Sequence, residues 1–216
     1  MEETKNQLSS VSLVWATPNG DKLIEDMARV SNLNPTQPSK NLIAYLIKHK
    51  HWSPFEMCNM CVEIYTPRDI SRQLLRHRFA FQEFSQRYAS AQGLPNVHRE
   101  LRRQDLTNRQ KSLEWLDMDA HNVFQERIGK MMSIVSELYG DMLDAGVAKE
   151  TARVILPEGL TMSRLFVNGT VRQWIHYLQV RMDADTVQAE HVWLANQIND
   201  VFKRAYPKVY SAVFEQ

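Results

Sequence analysis

Arginine is the residue whose spacing points most directly to chemistry. Arg68, Arg72, Arg76, Arg78 and Arg87 fall within twenty residues and meet only two carboxylates there, Asp69 and Glu83. On a helix from Arg68 to about His77, the arginines at 68, 72 and 76 share one face, while Ile70, Leu74 and His77 share another. Like charges stacked this way repel, and a solvated face ordinarily intersperses glutamate to relieve them. Two readings stay open: a wet basic face, or a bound anion. Arginine suits the second because its planar fork grips phosphate bidentately and keeps its proton. A further cationic set lies at Arg172, His176 and Arg181. Nine helical residues turn through about 900°, so Arg172 and Arg181 point to opposite sides, with His176 beside Arg172 and with Trp174 and Leu178 beside Arg181. One helix thus offers a cation to each side, which suits an interface between subunits. Taken alone, His176 and His191 read as ordinary helix residues. Cys58-Asn59-Met60-Cys61 spells C-x-x-C, but strand positions i and i+3 face opposite ways. With no second cysteine pair, the two thiols read as core packing, and no metal site is expected.

Three stretches carry a resemblance: His51-Trp52-Ser53-Pro54-Phe55-Glu56, Gln73-Leu74-Leu75-Arg76-His77-Arg78, and Glu83-Phe84-Ser85-Gln86-Arg87-Tyr88. With Ala152-Arg153-Val154-Ile155-Leu156-Pro157 and the late Arg172, His176 and Arg181, the chain resembles the flavin-dependent thymidylate synthases from about residue 40 to 190. The chain departs from the family pattern in four places. Only six residues, Phe79 to Phe84, separate Arg78 from Ser85; Thr170 stands where the late helix commonly has asparagine; no histidine follows Arg181; and the stretch from Arg153 to Arg172 is one residue longer than usual. These mark a divergent member. The resemblance implies FAD contacts from Ser53, Arg76, His77, Arg78, Glu83, Thr170, Arg172 and His176. It implies dUMP contacts from Gln73, Arg76, Glu83, Ser85, Gln86, Arg87, Arg153 and Arg181, with His51 near the flavin or folate. Arg181 is the expected catalytic residue. The implied reaction is reductive methylation of dUMP to dTMP, with 5,10-methylenetetrahydrofolate as carbon donor and NADPH as reductant. The implied assembly is a homotetramer with active sites at subunit interfaces.

The elements that must position these residues are legible in outline. Ser10–Thr17 is β-rich and closes at Pro18-Asn19-Gly20, and Asp21–Ser31 carries Leu23, Ile24, Met27 and Val30 at helical spacing. Pro35 and Pro38 precede Ser39, which is placed to cap a helix through Ile47. Phe55–Thr66 alternates as a half-buried strand, and Pro67 suits the first turn of the Arg68–His77 helix. Residues 92–112 are polar and mixed in charge and read as a surface loop or insertion. Ala120–Ala145 steps Phe124, Ile128, Met131, Val135, Leu138 and Met142 by three or four and ends at Gly146, the clearest helix in the chain. A short helix around Arg153, an apolar strand at Leu165–Val167, and helices over Thr170–Met182, Asp185–Ala205 and Lys208–Phe214 complete an α+β fold. It is helix-dominated, a single domain over residues 1–216, with a small, mainly antiparallel sheet.

Composition bounds the rest. The chain has 216 residues, 44% hydrophobic and 24% charged, with a net charge of +1, values of a globular protein rather than a disordered or collagenous one. So small a net charge supplies no global field for polynucleotide or membrane, and anion binding must be local. Two cysteines, no signal-like N-terminus and no apolar run of 18 residues predict a cytoplasmic protein without a membrane span. Two rivals stand beside the enzyme. One is a nucleotide-binding homologue impaired by the shortened loop. The other is a nucleic-acid module using the basic region from Arg68 to Arg103 with Phe79, Phe81, Phe84 and Tyr88 as stacking residues.

Overall fold

The structure, a computed structural model, describes residues 8–31, 41–92 and 97–215; Pro35, Pro38 and the Ser39 cap lie outside them. Strand β2 (Asn59–Pro67) runs through the centre. Met60, Val62 and Ile64 alternate along it and are fully buried, the two-residue period of a strand with one face on the core. Strand β6 (Met162–Thr170) pairs antiparallel along its whole length and sets Val167 opposite Val62 and Leu165 opposite Ile64, on the same buried face. Strands β1 (Ser10–Ala16) and β3 (Ala80–Glu83) complete a wholly antiparallel sheet of order β1-β2-β6-β3. Helices α1 (Gly20–Ala28), α2 (Leu42–Lys48), α6 (Val171–Arg181), α7 (Ala189–Ala205) and α8 (Pro207–Phe214) supply the rest of the core around Ile24, Leu46, Trp174, Leu178, Ile198 and Val209. Trp174 is fully buried and donates its indole N–H to the Met60 carbonyl at 2.9 Å, so the largest core side chain leaves no polar atom unmet.

Several elements differ from the sequence expectations. Helix α3 (Arg68–Leu74) stops before His77, and Arg76–Arg78 form a turn leading into β3. The strand expected from Phe55 begins at Asn59, because Pro54 starts a 3-10 turn over Ser53–Glu56. Helix α7 begins at Ala189, not Asp185: the Asp183 carboxylate accepts from the Asp185 N–H (3.0 Å) and the Thr186 hydroxyl (2.7 Å), closing a local turn that competes with helix. Residues 102–114, mostly within the expected loop at 92–112, carry a hairpin, β4 (Arg102–Gln104) and β5 (Ser112–Glu114). The Asp105 carboxylate holds its turn through the Thr107 and Asn108 N–H groups. The short helix α5 (Lys149–Ala152) tightens into a 3-10 turn over Arg153–Ile155.

Helix α4 (Met118–Asp144) spans 27 residues. Asp117 caps it by accepting from the Ala120 N–H at 2.9 Å, and Gly146 at φ 84° lets the chain leave it. Its apolar stripe does not face the core. Phe124, Met131 and Leu138 are exposed, and Met132 and Tyr139 are the buried residues of the helix. Tyr139 anchors its C-terminal part, packing with Ala91 and Ala152 and accepting from the Ala91 N–H.

Candidate active site

Three segments meet around a cleft of about 620 Å³. The first turns of α6 present Arg172, Gln173, Ile175, His176 and Gln179; the turn after α3 presents Arg76, His77 and Arg78; the chain ahead of β2 adds Trp52 and Glu56. Local chemistry explains why they converge. Thr170 caps α6 in a capping box: its hydroxyl accepts from the Gln173 N–H, while the Gln173 side-chain oxygen accepts from the Thr170 N–H at 2.7 Å. The same Gln173 amide donates to the Arg78 carbonyl, tying the arginine turn to the helix start. Phe79 then lies against Trp174 with ring centroids 4.3 Å apart. It passes so close over Gly169 that a Cβ there would sit 2.3 Å from the phenyl ring; only glycine admits that approach.

Charge in the cleft is one-sided. Three guanidinium groups, Arg76, Arg78 and Arg172, line it with one carboxylate, Glu56, which pairs with Arg172 at 2.9 Å and accepts from the Thr170 hydroxyl at 2.9 Å. Trp52, with Arg172 lying 6.0 Å from its ring centroid, Ile175 and His176 give the cleft flat and apolar walls. Volume, cation surplus and ring-lined walls together suit an anionic ligand that carries a flat heterocycle.

His77 joins the cleft to the helix end. Its Nε2 accepts from Arg181 Nε at 2.8 Å; because a guanidinium can only donate, the neutral ring carries its proton on Nδ1. Burial, then the nearby Arg181 and His176, push His77 down to about 4. Arg181 also donates to the Gln73 carbonyl at 3.4 Å. Behind it runs a buried neutral chain: the Gln73 side-chain oxygen meets His191 Nδ1 at 3.1 Å, His191 Nε2 meets the Tyr177 hydroxyl at 3.1 Å, and the Gln73 amide donates to Gln188 at 2.7 Å. Burial holds His191 down at about 3 and pushes the Tyr177 phenol up. The 900° argument holds for Arg172 and His176, which face the cleft, and for Trp174 and Leu178, which are core, but Arg181 does not serve a separate side: it is absent from the cleft lining yet bonds His77, which lines it.

The remaining expected residues form separate groups. Glu83 accepts from the Ser71 and Ser163 hydroxyls (3.1 and 2.8 Å) and pairs with Arg72 (3.2 Å) and Arg68 (3.7 Å). Glu158 pairs with Arg72 at 2.9 Å and lies 4.0 Å from Arg68. Arg68 and Arg72 are therefore compensated, a correction to the uncompensated stripe expected from sequence, since Glu158 returns from 86 residues away; Arg76, the third of the stripe, has no ion pair among the described residues and lines the cleft. Arg87 and Arg153 gather at Glu150, Arg87 Nε on its carboxylate (3.4 Å) and Arg153 Nε on its carbonyl (3.3 Å). The Ser85 hydroxyl accepts from the Arg87 N–H at 3.4 Å, and Gln86 is buried with its amide nitrogen unpartnered among the described residues. Ser53 opens the 3-10 turn and His51 is exposed, 6.0 Å ring to ring from both Tyr45 and His49; neither lines the cleft. The sequence reading gave no site role to Trp52, Glu56, Gln173 or the His191 chain; Trp52 and Glu56 stand inside the His51–Glu56 motif, and Gln173 is the last residue of a Thr-x-x-Gln capping box.

The cysteines and two of the phenylalanines take core positions. Cys58 and Cys61 are buried free thiols, Cys58 against the Gly20 carbonyl at 3.6 Å, and burial pushes both up. Phe79 and Phe81, two of the four expected stacking residues, pack onto the core, whereas Tyr88 is exposed with Arg87 5.7 Å from its ring centroid.

Residues 12–208 match the family described as thymidylate synthase complementing protein. A probable flavin-dependent thymidylate synthase of Paramecium bursaria Chlorella virus 1 is 42% identical over 93% of this chain and 94% of its own length. A flavin-dependent thymidylate synthase of Synechocystis is 42% identical over 91% and 90% respectively. The crystal structure of a UMP/dUMP methylase, PolB from Streptomyces cacaoi bound with 5-Br UMP, superposes with a TM-score of 0.80 at 28% identity, covering 94% of this chain and 92% of that one.

Proposed function

This chain belongs to the thymidylate synthase complementing proteins, the family of its flavin-dependent thymidylate synthase relatives, and on that premise we propose that it methylates dUMP reductively to dTMP. Its cofactor is FAD, with 5,10-methylenetetrahydrofolate as carbon donor and NADPH as reductant. The observation that carries the reading is the convergence of Arg76, Arg78 and Arg172 on one cleft beside a single carboxylate. The cleft fits FAD on its own chemistry: three fixed cations match a pyrophosphate, and Trp52, Ile175 and His176 suit a flat ring. Arg76, His77, Arg78, Arg172 and His176 would hold it, and when bound FAD supplies the hydride that completes the methyl group.

The chain's own part is electrostatic. Arg181 keeps its charge at working pH and, facing a uracil carbonyl, would stabilise the negative charge that develops as the ring is activated. His77 stays neutral, holding Arg181 through Nε2 without adding a like charge beside it. Arg87 and Arg153 would take the dUMP phosphate, with Ser85 and Gln86 as binding groups. No histidine or lysine hydrogen-bonds the Ser85 hydroxyl among the described residues, so nothing activates it as a nucleophile. No hydrogen bond or ion pair among the described residues joins the Arg87–Arg153 pair to Arg181, and α4 leaves an apolar stripe open. Both features support a homotetramer with sites completed across subunits. No described helix is long and apolar enough to cross a membrane.

The test is an absorption spectrum of the purified protein followed by turnover. It should be yellow and make dTMP only with the folate donor and NADPH present. A colourless protein that takes up no added FAD overturns the reading.

A further inference from the structure

Glu56 is the one carboxylate among the described residues that line the three-arginine cleft. A negative charge there opposes any anion the cleft admits, so its presence needs a reason. Its bonds supply one. Oε1 accepts from Arg172 Nη1 at 2.9 Å and Oε2 from the Thr170 hydroxyl at 2.9 Å, so each oxygen holds a different group at the start of α6. Thr170 caps that helix, and its capping-box partner Gln173 donates to the Arg78 carbonyl. One carboxylate therefore fixes a cleft cation directly and, through Thr170 and Gln173, joins it to the turn that carries the other two.

The part of Arg172 that is held decides what remains. A guanidinium offers a bidentate partner either its Nη1–Nη2 end or its Nε–Nη2 side. Glu56 takes Nη1 alone, and neither Nε nor Nη2 has a hydrogen-bond partner among the described residues. Trp52 backs the group, its ring centroid 6.0 Å from the guanidinium carbon. Arg172 is thus anchored at one corner with a complete donor pair to spare.

We propose that Glu56 is a positioning residue for the pyrophosphate of the cofactor: it holds Arg172 by Nη1 and so leaves the Nε–Nη2 side to grip a phosphate through two parallel hydrogen bonds. The inference rests on the reading that the cleft takes FAD. Two effects of Glu56 compete, and they differ in kind. Its repulsion of the ligand is weakened by solvent and salt, since the side chain is 38% exposed. The difference between a forked grip and a loose single contact depends on where two N–H groups point, which salt does not change. Positioning therefore outweighs repulsion.

The test is calorimetric titration of FAD into the full chain freed of flavin, at about 0.15 M salt, for wild type, Glu56→Ala and Glu56→Gln, each checked for folding by its melting curve. Both variants remove the same charge, but only glutamine keeps an oxygen able to accept from Arg172. Glu56→Ala should bind FAD roughly tenfold or more weakly than wild type, and Glu56→Gln should recover at least about threefold of that loss. In an Arg172→Ala background, Glu56→Ala should change the affinity by less than about twofold, because no fork is left to aim; a merely structural role at the start of α6 would cost the same in both backgrounds. Should Glu56→Ala fail to fold, Glu56→Asp, one methylene too short to hold both partners, takes its place with the same expected loss. A wild type that binds FAD beside a Glu56→Ala variant that binds as tightly, a Glu56→Gln variant no better than alanine, or an equal loss with and without Arg172 overturns this proposal alone. A wild type that takes up no FAD overturns the cofactor reading and this proposal with it.

Discussion

Acid lability should be written mainly in His191. It is fully buried between Gln73 and Tyr177 and held down at about 3, while a histidine in the unfolded chain titrates near 6.5. Its native value is depressed, so its contribution is fully present above pH 6.5 and is lost as pH falls, because the unfolded chain takes up a proton the native one refuses. Each such proton costs about 1.4 kcal/mol per pH unit, so His191 alone removes about 3 kcal/mol between pH 6.5 and 4. Half-buried His77, held down at about 4, adds a smaller share of the same sign. Against a typical stability of about 5–15 kcal/mol this is a large fraction. Urea denaturation at pH 7, 6, 5 and 4.5 and fixed ionic strength, comparing wild type with His191→Gln, isolates the effect. Asp21 and Asp69, both raised by burial, titrate in each protein and cancel in the difference. The variant should be less stable by about 1–3 kcal/mol at pH 7, since Tyr177 and Gln73 are less well met. Its profile should be shallower by about 1.4 kcal/mol per unit, so the two curves cross near pH 5. Parallel curves would refute the assignment of that proton to His191.

Arg181→Lys keeps a cation but cannot reach both His77 Nε2 and the Gln73 carbonyl, so turnover should fall by roughly tenfold or more with flavin content intact; unchanged kcat removes Arg181 from the chemistry. Arg87→Ala breaks an exposed pair with Glu150 and an exposed contact with the Tyr88 ring, so melting should barely move. In calorimetry, its affinity for dUMP should drop roughly ten- to a hundredfold while FAD affinity holds. The Cys58→Ala, Cys61→Ala double variant, assayed folded and flavin-loaded, should still form dTMP, because thiols pushed up by burial are poor nucleophiles. Complete loss of activity there would point to a thiolate route.

Much of the scaffold was legible because burial imposes periods: Met60, Val62 and Ile64 announce β2, and Trp174 and Leu178 announce the core side of α6. What stayed hidden was decided by distant partners. Four residues, Ala80–Glu83, are too short to show a period, and they form a strand only because β6 offers a free edge. The polar hairpin at 102–114 has no apolar alternation and rests on side-chain bonds such as Arg102 to Ser112. Arg68 and Arg72 looked unpaired because Glu158 lies far along the chain, and the destination of the apolar face of α4 stayed hidden because periodicity reports such a face without naming what covers it. Arg76, His77, Arg78 and Arg172, by contrast, were readable from motif and spacing, and the fold brings them to one cleft.

Gly169 contributes no atom beyond backbone, yet it decides how far substitutions near the cleft can be judged one at a time. Because the Phe79 ring occupies the space a Cβ would need, Gly169→Ala should be severely destabilising in the native background, whereas beside Phe79→Leu it should find room. The two positions therefore carry sign-dependent epistasis: the cost of either change is defined only once the other residue is stated. Related chains that enlarge position 169 should do so together with a smaller neighbour at 79, so that the arginine turn drifts through paired changes rather than single ones.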